Sequence, residues 1–429
     1  MGEIIVERRE FLGLMSASYV ALHSQAAGAV ASAVAGVSQD PESASTDEEF
    51  WLQIRQAFSV DGNQINLNSG SVSPAPQVVQ KAMQDYLTVM NMSPSLYVEK
   101  LLLPQREGVR RRLASAFGCD PEELAITRNT TESLENVILG IDLKPGDEVL
   151  TTNQDYISML WSWRQREKRD GIVLKTISFP VPPPSPDDLV KRFEEAITDR
   201  TRVIMLSHVT YTTGQIFPVR EICRMARDRG IQTIVDGAHS FAHFPFQQAD
   251  LDCDYYGTSL HKWLTAPIGT GFLYVRKERI PDVWPLMPSS ESNAANIRKF
   301  EAIGTHPVAA KNAISSALTF HQRIGPERKA ARLNYLRERW SRRVESIRGV
   351  RILNSNDPGQ ACGIGAMTIE GIEGPALSEH LLRTSRIHVR ARVLPGEYSA
   401  IRVAPNVFTS VDEIDVFSQA IEKIAHKGL

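Results

Sequence analysis

Tyr256-Gly257-Thr258-Ser259-Leu260-His261-Lys262-Trp263 opens as an aromatic, strand-like stretch and ends on a lysine just beyond it. A lysine so placed stands at the mouth of a sheet, not on the outer face of a helix. Most lysines are solvated surface residues, so the company of Lys262 decides its meaning. Upstream, Val235-Asp236-Gly237-Ala238-His239 sets a carboxylate at the end of the apolar run Gln232-Thr233-Ile234-Val235. In open α/β sheets the carboxyl ends of the strands are where ligands bind. Taken alone, Asp236 reads equally as a turn cap before Gly237. A third stretch, Thr127-Arg128-Asn129-Thr130-Thr131-Glu132-Ser133, places hydroxyl residues before an apolar helix pattern over Ser133 to Leu139. Backbone N–H groups and hydroxyls there could cradle a phosphate, although a plain helix cap has the same composition.

Outward from these segments the chain alternates strand and helix patterns from Asp47 onward, which reads as α/β. Short apolar runs at Val149–Thr151, Arg202–Leu206, Gln232–Val235 and Gly271–Val275 have strand length. Val219 to Arg229 is a helix pattern closed by Gly230, and the prolines from Pro180 to Pro186 form a surface connection leading into a helix over Asp187 to Ala196. Near residue 305 the pattern changes to two long helices, Val308 to Ile324 and Pro326 to Ile347. Short strands follow around Arg351–Leu353, Ala366–Ile369 and Ile387–Val389, then a final helix over Val411 to Ala425. The 429 residues suit two packed units, a large one over 47–304 and a smaller α+β one over 305–429. With 42% apolar and 23% charged residues the composition is that of a globular chain, and a net charge of -2 gives no case for nucleic-acid binding. The cysteines 119, 223, 253 and 362 form no CxxC pair, so neither a disulfide scaffold nor a zinc knuckle is indicated.

A carboxylate and a lysine on such strand ends suit pyridoxal 5′-phosphate (PLP) chemistry. The carboxylate keeps the pyridine nitrogen protonated, so that the ring acts as an electron sink, and the lysine carries the cofactor as an imine. With the hydroxyl-rich helix start, the chain resembles the class V aminotransferases of the fold-type I PLP enzymes, and among them the isopenicillin-N-epimerase-like members, from about Asn66 to Val407. The resemblance implies a large domain with a mostly parallel sheet plus a smaller α+β C-terminal domain. It implies Lys262 as the Schiff-base lysine, Asp236 as partner of the pyridine nitrogen, and Thr130, Thr131, Ser259 and His261 around the phosphate. Tyr156 falls where many relatives stack a histidine on the cofactor ring. His239 and Tyr211 fall where desulfurases carry Gln and Asn near the phenolic oxygen, two departures from the family pattern. Thr305 resembles a loop residue that reaches the neighbouring subunit's phosphate in a homodimer with a shared active site. Arg402 resembles the arginine that grips the substrate carboxylate, a task suited to its two parallel donors. Asn68, in Asn68-Ser69-Gly70-Ser71, resembles the segment approaching the substrate pocket.

Family desulfurases carry a nucleophilic cysteine shortly before that arginine, whereas Ile387 to Arg402 contains none, and Cys362 reads as a packing residue. Persulfide formation is therefore disfavoured. Transamination, epimerisation or elimination at an amino-acid substrate remain, all beginning at the α-carbon proton, with Lys262 as base and Tyr156 as either a stacking platform or a second acid/base. Two competing readings are a non-catalytic PLP-fold binding protein and a metal hydrolase built on His208, Asp236, His239 and His261. At the N-terminus, Arg8-Arg9-Glu10-Phe11-Leu12-Gly13 precedes a stretch free of charge until Asp40, with small-x-small sites near Ala29 to Ala35. This pattern over residues 1–35 resembles a twin-arginine signal and implies a periplasmic or exported protein, against the alternative of a retained cytosolic helix. No later apolar run approaches the roughly 18 residues of a membrane span.

Overall fold

The computed structural model describes residues 40–290 and 294–429. The expected export signal over 1–35 lies outside the described residues. The large sheet has seven strands: β2 (Leu124–Thr127), β3 (Glu148–Thr152), β4 (Val173–Ile177), β5 (Thr201–Ser207), β6 (Gln232–Asp236), β7 (Tyr255–Ser259) and β8 (Gly271–Val275). A two-residue β1 (Ile65–Asn66) precedes them in the chain. The order is β2-β8-β7-β6-β5-β3-β4, parallel from β7 through β4, with β8 running against both its neighbours.

Strand alternation sorts the apolar side chains onto two faces. Leu150, Ile204, Leu206, Val235, Tyr256 and Phe272 join one core. Val149, Val203, Met205, Ile234, Tyr255 and Leu273 join the other. Both faces are covered, which is why β5 and β6 read as continuous apolar runs. On the first face lie the helices Leu103–Phe117, Val219–Asp228 and Ala309–Ile324. On the second lie Thr130–Gly140 and Ile157–Asp170. The helix Val219–Asp228 ends as its sequence dictates, with Gly230 at φ +68°. Helix Pro186–Ala196 is capped by Ser185, whose Oγ accepts from the Asp188 N–H at 3.2 Å.

A second sheet has the order β12-β13-β10-β9 and is antiparallel throughout, built from β9 (Val350–Ile352), β10 (Gly365–Ile369), β12 (Arg390–Leu394) and β13 (Tyr398–Val403). Its core comprises Met367, Ile401 and Val403, packed against Leu336 and Trp340 of helix Pro326–Val344 and Phe417 of helix Val411–Lys427. The N-terminal segment belongs to this core too, because β1 pairs in parallel with β11 (Ile387–His388) and Leu67 is buried there. Helix Ala309–Ile324 lies beyond residue 305 in the chain, yet Ala313, Ile314, Ala317 and Leu318 pack into the core of the large sheet. Among the described residues no helix is long and apolar enough to cross a membrane.

Candidate active site

Six strands of the large sheet, β2 to β7, end on the same side, and the segments after the carboxyl ends of β2, β3, β5, β6 and β7 supply most of the candidate residues. Thr130 follows β2, Tyr156 follows β3, Tyr211 follows β5, His239 follows β6 and Lys262 follows β7, while Asp236 is the last residue of β6. The parallel register sets Asp236 beside Gly257 of β7 and Ser207 of β5.

Lys262 Nζ lies 3.4 Å from His239 Nε2. The indole N–H of Trp263 donates to His239 Nδ1 at 3.4 Å, so the neutral ring carries its own proton on Nε2, facing the lysine. The ring stays neutral because burial pulls its pKa well below the usual histidine range. A second histidine fixes the backbone here: His243 Nδ1 contacts the His239 carbonyl at 2.8 Å, its Nε2 accepts the Gly363 N–H at 3.0 Å, and its ring stacks on Trp263 at 3.7 Å. Burial brings the Lys262 amine down to about 8, against the attraction of Asp236 and with help from Arg402 and Arg392. Asp236 is 4% exposed. Its Oδ1 accepts the Ala238 N–H at 2.9 Å. Burial pushes this carboxyl up to about 6, in spite of that bond and of Lys262.

Thr130 and Thr131 occupy the first turn of helix Thr130–Gly140, three residues earlier than the pattern from Ser133 suggests. The reason is Asn129, whose side chain accepts the Glu132 N–H at 2.8 Å and so starts the helix there. Thr130 reaches Ser259 twice: its N–H donates to Ser259 Oγ at 2.9 Å and the two hydroxyls share a bond of 2.7 Å. Gly257 permits this approach, because a Cβ there would sit 2.9 Å from Ser133 Cβ and 2.7 Å from Leu134 Cδ2. His261 is buried with Nδ1 unpartnered, and burial lowers its pKa to about 4. The helix N-terminus, Thr130 and Ser259 thus share one corner, with Thr131 and the neutral His261 close by in the chain, and together they carry the donors a phosphate needs.

Arg402, on β13, is 1% exposed. Its guanidinium donates to the Tyr211 carbonyl at 2.9 Å, Asn68 Oδ1 at 2.8 Å and Ser71 Oγ at 3.0 Å, while Nε is buried without a partner. Gly70 lets the backbone wrap this group, since a Cβ there would stand 3.2 Å from Arg402 Cζ. Among the described residues Arg402 has no carboxylate partner. Tyr156 is 39% exposed and meets Tyr211 edge-on with ring centroids 5.3 Å apart. Thr305 is exposed in the loop before helix Ala309–Ile324, and it makes no hydrogen bond to the other candidates among the described residues.

Two residues escape the sequence reading. Asp155 is buried, taking Thr151 Oγ1, Thr152 N and Thr152 Oγ1 on Oδ2 at 2.6, 2.8 and 2.9 Å, and Ser207 Oγ on Oδ1 at 2.7 Å. It ties β3 to β5 and sets the turn that carries Tyr156. Arg392, on β12, lies over the Tyr211 ring at 4.9 Å. The alternation Arg390-Ala391-Arg392 is the only sequence sign of it. His208, Asp236, His239 and His261 do not gather for a metal: among the described residues no group of three or more His, Cys, Asp or Glu does. The thiol of Cys362 is buried, lies 3.3 Å from the Gly214 carbonyl and is pushed up to about 12 by burial, consistent with packing rather than reaction.

This arrangement fits PLP on its own terms: a buried carboxylate without an ion-pair contact among the described residues, an amine brought into the useful range, and a phosphate corner where β2 and β7 end. Comparisons with known proteins agree. The sequence is 31% identical over 400 residues to the isopenicillin N epimerase of Amycolatopsis lactamdurans, covering 87% of this chain and 98% of that one. It is 25% identical over 402 residues to a probable cysteine desulfurase of Methanothermobacter thermautotrophicus, with the same coverage of 87% and 98%. The fold superposes on a cysteine desulfurase of Thermococcus onnurineus with a TM-score of 0.77 at 24% identity, covering 88% of this chain and 98% of that one. The architecture is that of the fold-type I PLP enzymes. Because the family described as Aminotransferase class-V matches residues 65–410, nearly all of the described chain, this protein belongs to that family of PLP-dependent enzymes.

Proposed function

We propose that the chain acts at the α-carbon of an amino acid, or of a substrate containing one, by epimerisation or transamination. One observation carries this reading: an amine lowered to about 8 lies 3.4 Å from a neutral His239, within the charge of Asp236 and of Arg402, a buried arginine without a carboxylate partner among the described residues. PLP, when bound, withdraws electrons from the substrate α-carbon and so makes its proton acidic.

The chain's own residues do the rest. Asp236, buried on β6, would hold a proton on the ring nitrogen through charge. Thr130, Thr131, Ser259 and His261 would bind the phosphate. His239 would offer its Nε2 proton to the phenolic oxygen, and Tyr211 stands beside the same region. Arg402 would bind the substrate carboxylate, with Asn68, Ser71 and the Tyr211 carbonyl setting the orientation of its guanidinium. That grip fixes the direction of the α C–H bond relative to Lys262, whose neutral amine takes the proton. Tyr156 would cover the ring and is the candidate for proton delivery from the opposite side. The proposal includes a homodimer in which Thr305 completes the neighbouring phosphate site, and export of the folded protein on the twin-arginine pattern. Fractionation and the size of the purified protein test these two parts.

A second reading, elimination with C–S cleavage, is favoured by the similarity to desulfurases and by a structural neighbour described as a cystine C–S lyase. It shares the first proton removal and differs in the leaving group. Incubation of the yellow holoenzyme with an amino-acid panel in deuterated water separates the outcomes. Deuterium at the α-carbon with inversion marks epimerisation, keto acid without free ammonia marks transamination, and keto acid accompanied by ammonia or sulfide release marks elimination. Borohydride reduction and peptide mapping should find the cofactor on Lys262. Colourless protein, or no α-exchange with any amino acid, overturns the proposal.

A further inference from the structure

The hairpin β12–β13 brings more positive charge to the pocket than an amino acid's own carboxylate uses. Arg390 stands opposite Arg402 and Arg392 opposite Ala400, and directly opposed residues of an antiparallel pair project from the same face. Three guanidinium side chains therefore share one face, an arrangement that repels unless anions join it. Arg390 is exposed and so screened by solvent. Arg392 is only half-buried, but its Nε is buried and unpartnered. Its guanidinium covers the Tyr211 ring, whose carbonyl holds Arg402.

The hairpin is docked over the site. Asn153 Nδ2 donates to Glu397 Oε1 at 2.6 Å, and Tyr398 reaches Gln154 Oε1 at 3.5 Å. The acids nearby are already engaged: Glu397 with Asn153, and Asp155 with Thr151, Thr152 and Ser207. Among the described residues neither Arg392 nor Arg402 forms an ion pair. Burial, followed by neighbouring arginines, lowers the pKa of both, to about 10 for Arg392.

We infer that Arg392 is a specificity-determining residue that binds a second anionic group, so that the preferred substrate is an α-amino acid whose side chain ends in a carboxylate. The inference rests on the proposed amino-acid chemistry, with Arg402 taking the α-carboxylate. The competing role is structural, with Arg392 packing on Tyr211 and so steadying Arg402 for every substrate alike.

The test is titration of the holoenzyme's cofactor absorbance with isosteric pairs: L-aspartate against L-asparagine, L-glutamate against L-glutamine, and the pair one methylene longer. The expected result is that at least one acid binds about ten- to a hundredfold tighter than its amide, the range of a charge-assisted hydrogen bond in a partly desolvated site. In Arg392→Gln that ratio should collapse towards one, and Arg392→Lys should restore part of it. Equal affinities within every pair for the wild-type protein would overturn the inference, whether or not the variants fold. So would a ratio that survives in Arg392→Gln, or a loss there that is equal for acids and amides. If no amino acid at all perturbs the absorbance, the proposed function itself fails, which is a distinguishable result.

Discussion

Replacing Asp236 with Asn should make the cofactor-free protein more stable and the cofactor-bound protein weaker. In the free protein the carboxyl is buried at the end of β6, and burial moves it from 3.8 up to about 6. The sign follows from proton counting. Between those two values the folded state holds a proton that the unfolded state has released, so stability falls as pH rises. Below 3.8 both states are protonated and the effect vanishes; above about 6 it is complete, at about 3 kcal/mol. Asparagine does not ionise, and its Oδ1 can still accept the Ala238 N–H. The free variant should therefore exceed the wild type by up to about 3 kcal/mol at pH 7.5 and match it below about pH 4. With an unfolding entropy of about 0.9 kcal/mol/K for a chain of this length, the gain is about 3 °C in Tm. Adding PLP should reverse the ranking, because the wild-type carboxylate then meets a cationic ring nitrogen; the variant should bind PLP about ten- to a hundredfold less tightly. Calorimetry across pH, with and without cofactor, reads both halves. A free variant no more stable at pH 7.5, or one whose advantage persists at pH 3.5, would refute the reasoning about burial.

Arg402→Lys keeps a charge but loses the fork that reaches Asn68, Ser71 and Tyr211, so kcat/KM should fall about ten- to a hundredfold in steady-state assays. Tyr156→Phe keeps the ring while removing the hydroxyl; unchanged turnover or racemisation would leave Tyr156 a stacking platform, whereas a selective loss of inversion would give it a proton. Lys329, 2% exposed and donating to the Trp263 carbonyl, is lowered by burial to about 7. Wild-type stability should rise as pH climbs from about 7 towards 10.5, since the unfolded state there holds the extra proton. Lys329→Met should lack that rise in denaturation measured at fixed pH values.

Much of the site was legible because its residues sit where strands stop. Asp236 is a charge placed directly after an apolar run and Lys262 one just past a strand-like stretch, and such breaks in pattern are visible in a single sequence. Arg402 was found through resemblance, since β13 mixes serine, alanine and arginine and does not stand out as a strand. Strand β4 was missed for a related reason: it is an edge, partly exposed, with a lysine in its middle. The start of helix Thr130–Gly140 was misplaced because Asn129 competes with the threonines as cap, and only geometry shows which side chain turns inward. Asp155 and Arg392 were invisible for a deeper cause. Each matters through partners on other strands, and strand pairing is not written in local composition.

The hydrogen bond between Arg402 and Asn68 closes a loop of 334 residues. A protein emerging from the ribosome amino end first can assemble the large sheet well before its arginine clamp exists. The lysine, the aspartate and the phosphate corner are all translated by residue 262, whereas the clamp waits for residue 402. Long-range closure of this kind comes late in folding. The order of synthesis therefore separates a nascent chain that already carries the proposed cofactor residues from a finished one that also carries the proposed substrate clamp.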